Sequence, residues 1–199
     1  MSELQILFEP FPHFIVKNIF SEKEQILIWN ELIFLANRMH SNTNQAKDEI
    51  EGSKKRGSGI FLDDFYSNRE HSNILLCFNK ILKPNFLDEI HNSGNLILKY
   101  FDNNKPVGKS TLVQMYKNGD YYNHHYDTAF FTSVCLFHKM PKSYHGGDLG
   151  FTDFDYIPNL EHNSIIYFPS CLNHYVSEVK LLESENVNAR FTISEFIHV

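Results

Sequence analysis

The stretch Tyr116-Lys117-Asn118-Gly119-Asp120-Tyr121-Tyr122-Asn123-His124-His125-Tyr126-Asp127 decides how the rest of this 199-residue chain is read. It ends in His-x-Asp. Side chains at i and i+2 of a β-strand share a face, so the imidazole of His125 and the carboxylate of Asp127 point to one side and can grip one metal ion. A third donor stands far downstream: His174, in Phe168-Pro169-Ser170-Cys171-Leu172-Asn173-His174. Two imidazoles and a carboxylate on one face leave the other positions of the metal open, a donor set suited to non-haem Fe(II). Alone, His-x-Asp is a weak signal in a chain with 11 His and 24 acidic residues. Arg190, in Asn188-Ala189-Arg190-Phe191-Thr192-Ile193-Ser194, adds weight, because it heads an alternating β-prone run and a fixed guanidinium pairs bidentately with a carboxylate.

With these residues in order, the chain resembles the prolyl 4-hydroxylase-like branch of the Fe(II)/2-oxoglutarate-dependent dioxygenases. That branch runs Tyr-x-x-x-x-x-Tyr-x-x-His-x-Asp, then Gly-Gly-acid-Leu, a distal His and a basic residue. Tyr116, Tyr122, His125 and Asp127 match it, followed by Gly146-Gly147-Asp148-Leu149, His174 and Arg190. Gly57-Ser58-Gly59-Ile60-Phe61-Leu62 looks like the Ser-Gly-x-Phe-Leu segment upstream of the core, so the resemblance covers roughly residues 55 to 199. It implies that His125, Asp127 and His174 bind iron, and that Arg190, with Tyr116, contacts the distal carboxylate of 2-oxoglutarate. It also implies O2 as co-substrate, ascorbate as a stimulant, and hydroxylation of an aliphatic carbon with release of succinate and CO2. A prolyl or other residue of a peptide is the substrate it favours, and free amino acids and small metabolites suit the same scaffold. Two departures stand out: the interval from His174 to Arg190 is longer than the family norm, with Lys180 to Val187 reading as an inserted polar loop, and Phe196 replaces the usual Trp.

Strand alternation puts Tyr121 with His125 and Asp127, and Tyr122 on the other face, unless a bulge intervenes. Tyr121 and Phe61 are therefore candidate pocket residues, and Phe65, Phe130 and Phe154 are placed around the entrance. His124 falls on the opposite strand face, while His138, His145 and His162 lie in or near turns and read as surface residues. Gly146-Gly147 either supplies positive φ for a turn or shapes the site entrance.

Composition bounds the alternatives. At 42% hydrophobic, 199 residues can bury a sizeable core as one domain, residues 1–199, with 1–105 a mainly helical N-terminal support and 106–199 the strand-rich core. A net charge of −6 argues against a broad basic footprint for nucleic acid, and Lys54-Lys55-Arg56 reads as a solvated loop. Cys77, Cys135 and Cys171 show no paired spacing and are expected to be reduced thiols. No signal peptide or apolar membrane span is evident, so the expected location is cytoplasmic.

Along the chain, Phe11 to Val16 reads as a strand. Ser21-Glu22-Lys23-Glu24 is a capping box that opens a helix with Ile26, Leu27, Trp29, Ile33, Phe34 and Asn37 as its inward stripe. Residues 41 to 56 suggest a mobile loop, with Asp48 to Ser67 a candidate lid. Helices are expected between Ser72 and Leu82 and between Asn85 and Asn92. Seven strands follow: Thr111 to Tyr116, Tyr122 to Asp127, Phe130 to Phe137, Leu149 to Phe154, Ser164 to Phe168, Tyr175 to Val179 and Phe191 to Ile197. Helices followed by strands define an α+β chain, and the resemblance makes its core a double-stranded β-helix (jelly roll, cupin-like) with N-terminal helices packed on one sheet. Oxidative demethylation of nucleic-acid bases and a non-catalytic jelly-roll binding module are the competing readings.

Overall fold

The computed structural model of the protein describes residues 2–41, 55–94, 108–182 and 190–198. Strands β1 (Glu3–Leu7) and β2 (His13–Lys17) lead into helix α1 (Glu22–Ala36), then β3 (His40–Ser41), β4 (Lys55–Arg56) and β5 (Ser58–Phe61). Helices α2 (Leu62–Phe65), α3 (Asn73–Phe78) and α4 (Pro84–Asn92) follow. The strand-rich part comprises β6 (Gly108–Tyr116), β7 (Tyr121–His125), β8 (Phe131–His138), β9 (Tyr144–His145), β10 (Leu149–Phe151), β11 (Ser164–Pro169), β12 (His174–Val176), β13 (Lys180–Leu181) and β14 (Arg190–His198).

An antiparallel sheet in the order β1-β2-β11-β8-β14-β6-β5-β3 faces a smaller one in the order β10-β12-β7-β4, with a β13-β9 ribbon beside them. This is the expected α+β jelly roll, and each of the seven expected strands has a counterpart. The N-terminal third also supplies strands: β1 and β2 extend the large sheet through β11, and β5 joins it through β6.

Alternation along three central strands sorts the two faces of the large sheet. Val113 and Met115 of β6, Phe131, Cys135 and Phe137 of β8, and Phe191, Ile193 and Ile197 of β14 join the core under the helices. Gln114 and Tyr116, Thr132 and Val134, and Thr192, Ser194 and Phe196 line a cavity on the other face.

Helix α1 begins as its sequence dictates: the Ser21 hydroxyl accepts from the Glu24 N–H at 3.4 Å, and the Ser21 N–H donates back to the Glu24 carboxylate at 2.9 Å. The buried stripe differs from the expected one. Ile28, Glu31, Leu32 and Leu35 face inward, while Ile26, Leu27, Ile33 and Phe34 are exposed and Trp29 is half-buried against Phe137 and Phe191. Apolar residues occur on both sides of this helix, so periodicity does not choose between them. Glu31 does: buried, it accepts from the Ser72 hydroxyl at 2.7 Å and the Ile74 N–H at 3.0 Å, satisfying donors at the start of α3. Pro84 does more than end the preceding segment, since it occupies the first turn of α4, where a missing N–H is harmless.

Of the expected lid, residues 42–54 lie outside the described residues. Ser58–Phe61 is no loop: it is paired with Met115 to Leu112 in the large sheet. Lys55–Arg56 is likewise a strand, paired with Tyr122 and Tyr121, and Arg56 lies 3.4 Å from Asp120.

Candidate metal centre

His125 closes β7, Asp127 follows it, and His174 opens β12 directly opposite His125. The Asp127 N–H donates to the Ser170 carbonyl at 2.9 Å, which turns the chain out of the strand and aims the carboxylate back at the imidazoles. Donor atoms of His125, Asp127 and His174 lie within 4.8 Å of one another. His125 Nε2 is 3.8 Å from Asp127 Oδ1, and His174 Nε2 is 3.5 Å from Oδ2.

Both rings carry the tautomer a metal needs. Each Nδ1 meets a backbone carbonyl, Asn123 O for His125 and Leu172 O for His174, at 2.8 Å. A carbonyl only accepts, so Nδ1 holds the proton and the basic nitrogen of each neutral ring is Nε2, facing Asp127. The Thr132 hydroxyl donates to Asp127 Oδ2 at 2.6 Å and lies 2.8 Å from the Ser170 hydroxyl. Thr132 and Ser170 hold the carboxylate in place, a role that no local motif announces.

Tyr121 and Tyr122 exchange the roles expected from simple alternation. The β7–β12 register pairs His174 with His125 but Val176 with Tyr122, so three steps on one strand match two on the other. That extra residue is a bulge, and it brings Tyr122 round to the metal face, where its ring stacks on His125 with centroids 3.6 Å apart and planes at 14°. Tyr122 lines the cavity in place of Tyr121.

The triad sits in a cavity of about 470 Å³ whose described lining includes Phe61, Phe65, Gln114, Tyr116, Thr132 and Phe196. Phe61 is where the sequence reading placed it; Phe130 packs on Phe131 and Phe154 on Phe11 instead. A second cavity of about 260 Å³ shares Val134, Leu149 and Thr192 with the first and is lined by Arg190. Arg190 is 2% exposed. It donates through Nη2 to the Gly147 carbonyl, and its guanidinium lies 4.5 Å from the centroid of the Tyr116 ring. Its Nε and Nη1 make no hydrogen bond of good geometry among the described residues, nor does the Thr192 hydroxyl, although the Tyr116 and Tyr144 hydroxyls stand near the guanidinium. A buried cation with unused donors is costly unless an anion meets it. Burial pushes the Tyr116 hydroxyl up to about 12, against the opposing pull of Arg190, so it remains a neutral donor. Tyr144, which the sequence reading passed over, lines the same cavity, and burial raises its hydroxyl too.

The glycine pair supplies the positive φ of a turn, and Gly147 lies close against Arg190. At Gly147, with φ +69°, a Cβ would stand 2.5 Å from Arg190 Nε; at Gly146, with φ +67°, it would stand 2.1 Å from the Glu178 carbonyl oxygen. The turn needs positive φ, and the close approach lets Arg190 lie against backbone. Asp148 is exposed.

His124 and His145 are exposed, as expected, but His138 is buried and His162 is half-buried. His138 ends β8, and His162 packs on Phe137, accepting the His138 N–H at Nδ1 and meeting Gln25 Oε1 at 3.0 Å through Nε2. Burial, helped by His138, pulls the His162 imidazole down to about 4. Cys77 and Cys135 are buried, Cys171 is exposed, and none is in a disulfide. No helix among the described residues is long and apolar enough to cross a membrane.

No protein-family model and no curated protein matches the sequence. Solved structures do match, over nearly the whole chain. The viral collagen prolyl hydroxylase of Paramecium Bursaria Chlorella virus-1, in its 2OG complex, is similar with a TM-score of 0.58 and 18% identity over 94% of this chain and 96% of that one. A Pseudomonas putida prolyl-4-hydroxylase gives 0.54 and 10% over 99% and 91%, and OsALKBH1 gives 0.55 and 16% over 94% and 97%. The chain has the fold of the 2OG-Fe(II) oxygenases, and within it a His-Asp-His group of the facial-triad kind.

Proposed function

We propose that the protein is an Fe(II)- and 2-oxoglutarate-dependent dioxygenase that hydroxylates an aliphatic carbon, with residues 1–199 acting as one oxygenase domain. The observation that supports this most is the convergence of His125 Nε2, His174 Nε2 and the Asp127 carboxylate in a cavity that adjoins a buried arginine with unused donors. Two neutral imidazoles and one carboxylate fit Fe(II), and three protein ligands leave room for a chelating 2-oxo acid and for oxygen. When bound, the iron would supply oxygen activation coupled to conversion of 2-oxoglutarate to succinate and CO2.

The chain's own residues bind and orient. Asn123 O and Leu172 O fix the imidazole tautomers, Thr132 and Ser170 steady Asp127, and Tyr122 clamps the His125 ring. Arg190 pairs with the distal carboxylate of 2-oxoglutarate, flanked by the neutral hydroxyls of Tyr116 and Thr192. Phe61, Phe65, Leu112 and Phe196 wall the cavity and keep water from the reacting carbon. Among the described lining residues of the triad cavity there is no Lys or Arg, which disfavours a polyphosphate substrate.

A prolyl residue of a peptide or protein is the substrate that the resemblance favours, with a free amino acid or small metabolite as the alternative. Fe(II)-dependent formation of succinate from 2-oxoglutarate is the test, run with proline-containing peptides and with small amino acids. Stimulation by the peptides supports the first substrate and stimulation by small molecules alone the second. Absence of succinate from metal-loaded protein overturns the dioxygenase reading.

A further inference from the structure

The rim of the triad cavity carries one feature that the iron and the 2-oxo acid leave unused. Phe61, the extended residue where β5 passes into α2, and Asp64 and Phe65 within the single turn of α2 all line that cavity. Asp63, one position away, faces back into the fold, accepts the Thr111 N–H at 2.7 Å and pairs with Arg69. Asp64 makes no hydrogen bond or ion pair among the described residues and is exposed. The rings beside it are exposed too, Phe61 by 40% and Phe65 by 37%. The rest of the described lining holds one further carboxylate, Asp127 of the triad, and its other ionisable groups are imidazoles and phenols.

We propose that this rim selects a substrate carrying an organic cation, an ammonium or guanidinium, held by the Asp64 carboxylate between the faces of Phe61 and Phe65, with an aliphatic carbon of the same molecule presented to the metal. An aromatic face attracts a cation through its quadrupole, and a carboxylate at the same rim adds charge and direction. An anionic substrate finds no counter-charge among the described lining residues, and a neutral one gains nothing from Asp64. The net charge of −6 also favours approach of cations. The inference rests on the dioxygenase reading and specifies the substrate side of the same cavity.

The test uses the full chain loaded with Mn(II) and 2-oxoglutarate, with the Zn(II)-loaded protein as diamagnetic reference, and reads line broadening of ligand protons by the metal. Matched probes have the α-amino group acetylated so that only the side chain differs in charge: Nα-acetyl-lysine amide against Nα-acetyl-norleucine amide and Nα-acetyl-arginine amide against Nα-acetyl-citrulline amide, each residue also placed between glycines in an N-acetylated tripeptide amide. The proposal predicts that the cationic member of each pair is held near the metal about tenfold more tightly. It predicts that Asp64→Asn removes most of that preference and that Asp64→Glu restores much of it. A stronger response from the single-residue amides identifies a free small molecule, and one from the tripeptides a residue in a peptide. Equal broadening by charged and neutral probes, broadening by neither, or a preference unchanged in Asp64→Asn overturns the proposal. Failure of the wild type to bind Mn(II) or 2-oxoglutarate would instead strike the dioxygenase reading beneath it.

Discussion

Replacing Arg190 by Met separates what this residue does for the fold from what it does for a ligand. Arg190 is 2% exposed, donates to the Gly147 carbonyl and lies 4.5 Å from the Tyr116 ring centroid, while Nε and Nη1 make no hydrogen bond of good geometry among the described residues. Losing the hydrogen bond and the ring contact costs about 1–3 kcal/mol. Removing a buried charge that has no anion returns a desolvation penalty of several kcal/mol. The ligand-free variant is therefore expected to unfold within about 1 kcal/mol of the wild type, or to be more stable. The bound state behaves differently. Two charge-assisted hydrogen bonds at about 1.5–3 kcal/mol each would be lost, weakening 2-oxoglutarate binding by about 10²–10⁴-fold. Thermal unfolding with Zn(II) in the metal site reads both effects: at about 100 times the dissociation constant the ligand adds about 2.7 kcal/mol, which raises Tm of a chain this size by about 5–10 °C. The wild type should show that rise and Arg190→Met should not. A variant that keeps the rise, or one that loses more than about 3 kcal/mol without ligand, would refute the assignment of Arg190 as an anion receptor.

Thr132→Val removes the 2.6 Å hydrogen bond to Asp127 Oδ2 and should weaken metal binding by about 10–100-fold, measured by competition with a chelator, with little change in fold. Glu31→Ala leaves the Ser72 hydroxyl and the Ile74 N–H unmet, so it should lower stability by about 2–4 kcal/mol in denaturant titration while metal affinity holds. The pH dependence follows from His162, whose folded value of about 4 lies below its unfolded 6.5. Between those values the unfolded chain binds the extra proton, so stability is fully present above pH 6.5 and falls as pH drops toward 4. Denaturation midpoints across that window should show the slope, and His162→Gln should flatten it; an unchanged slope would assign the effect to His13 and His138, which burial also lowers.

Much of this was written locally. The seven strands were legible because one face of each is buried, which enforces a period of two, and the Ser21–Glu24 box marked the start of α1 because both partners lie within one turn. The grouping of His125, Asp127 and His174 was legible in residue type, order and spacing together with the family resemblance, which also singled out Arg190. Long-range geometry was not legible. The bulge that swaps Tyr121 for Tyr122 depends on how β7 meets β12, some fifty positions away, and nothing within Tyr121-Tyr122-Asn123 encodes it. The inward face of α1 is settled by Glu31 reaching residues 72 and 74, so an apolar count over α1 alone selects the wrong stripe. Burial of His138 and His162 comes from their mutual packing under Gln25, and the hold of Thr132 and Ser170 on Asp127 joins three separate segments.

In the proposed reading His125, Asp127 and His174 hold Fe(II) while Arg190 holds 2-oxoglutarate. Anaerobic addition of Fe(II) and 2-oxoglutarate to the purified protein, followed by visible absorption spectroscopy, tests it most directly. The expected result is the weak charge-transfer band of a chelated 2-oxo acid, lost in His125→Ala and requiring far more 2-oxoglutarate in Arg190→Met. Absence of the band in wild-type protein shown to be metal-loaded, or its persistence in His125→Ala, would rule out this metal centre and favour a jelly roll that only binds.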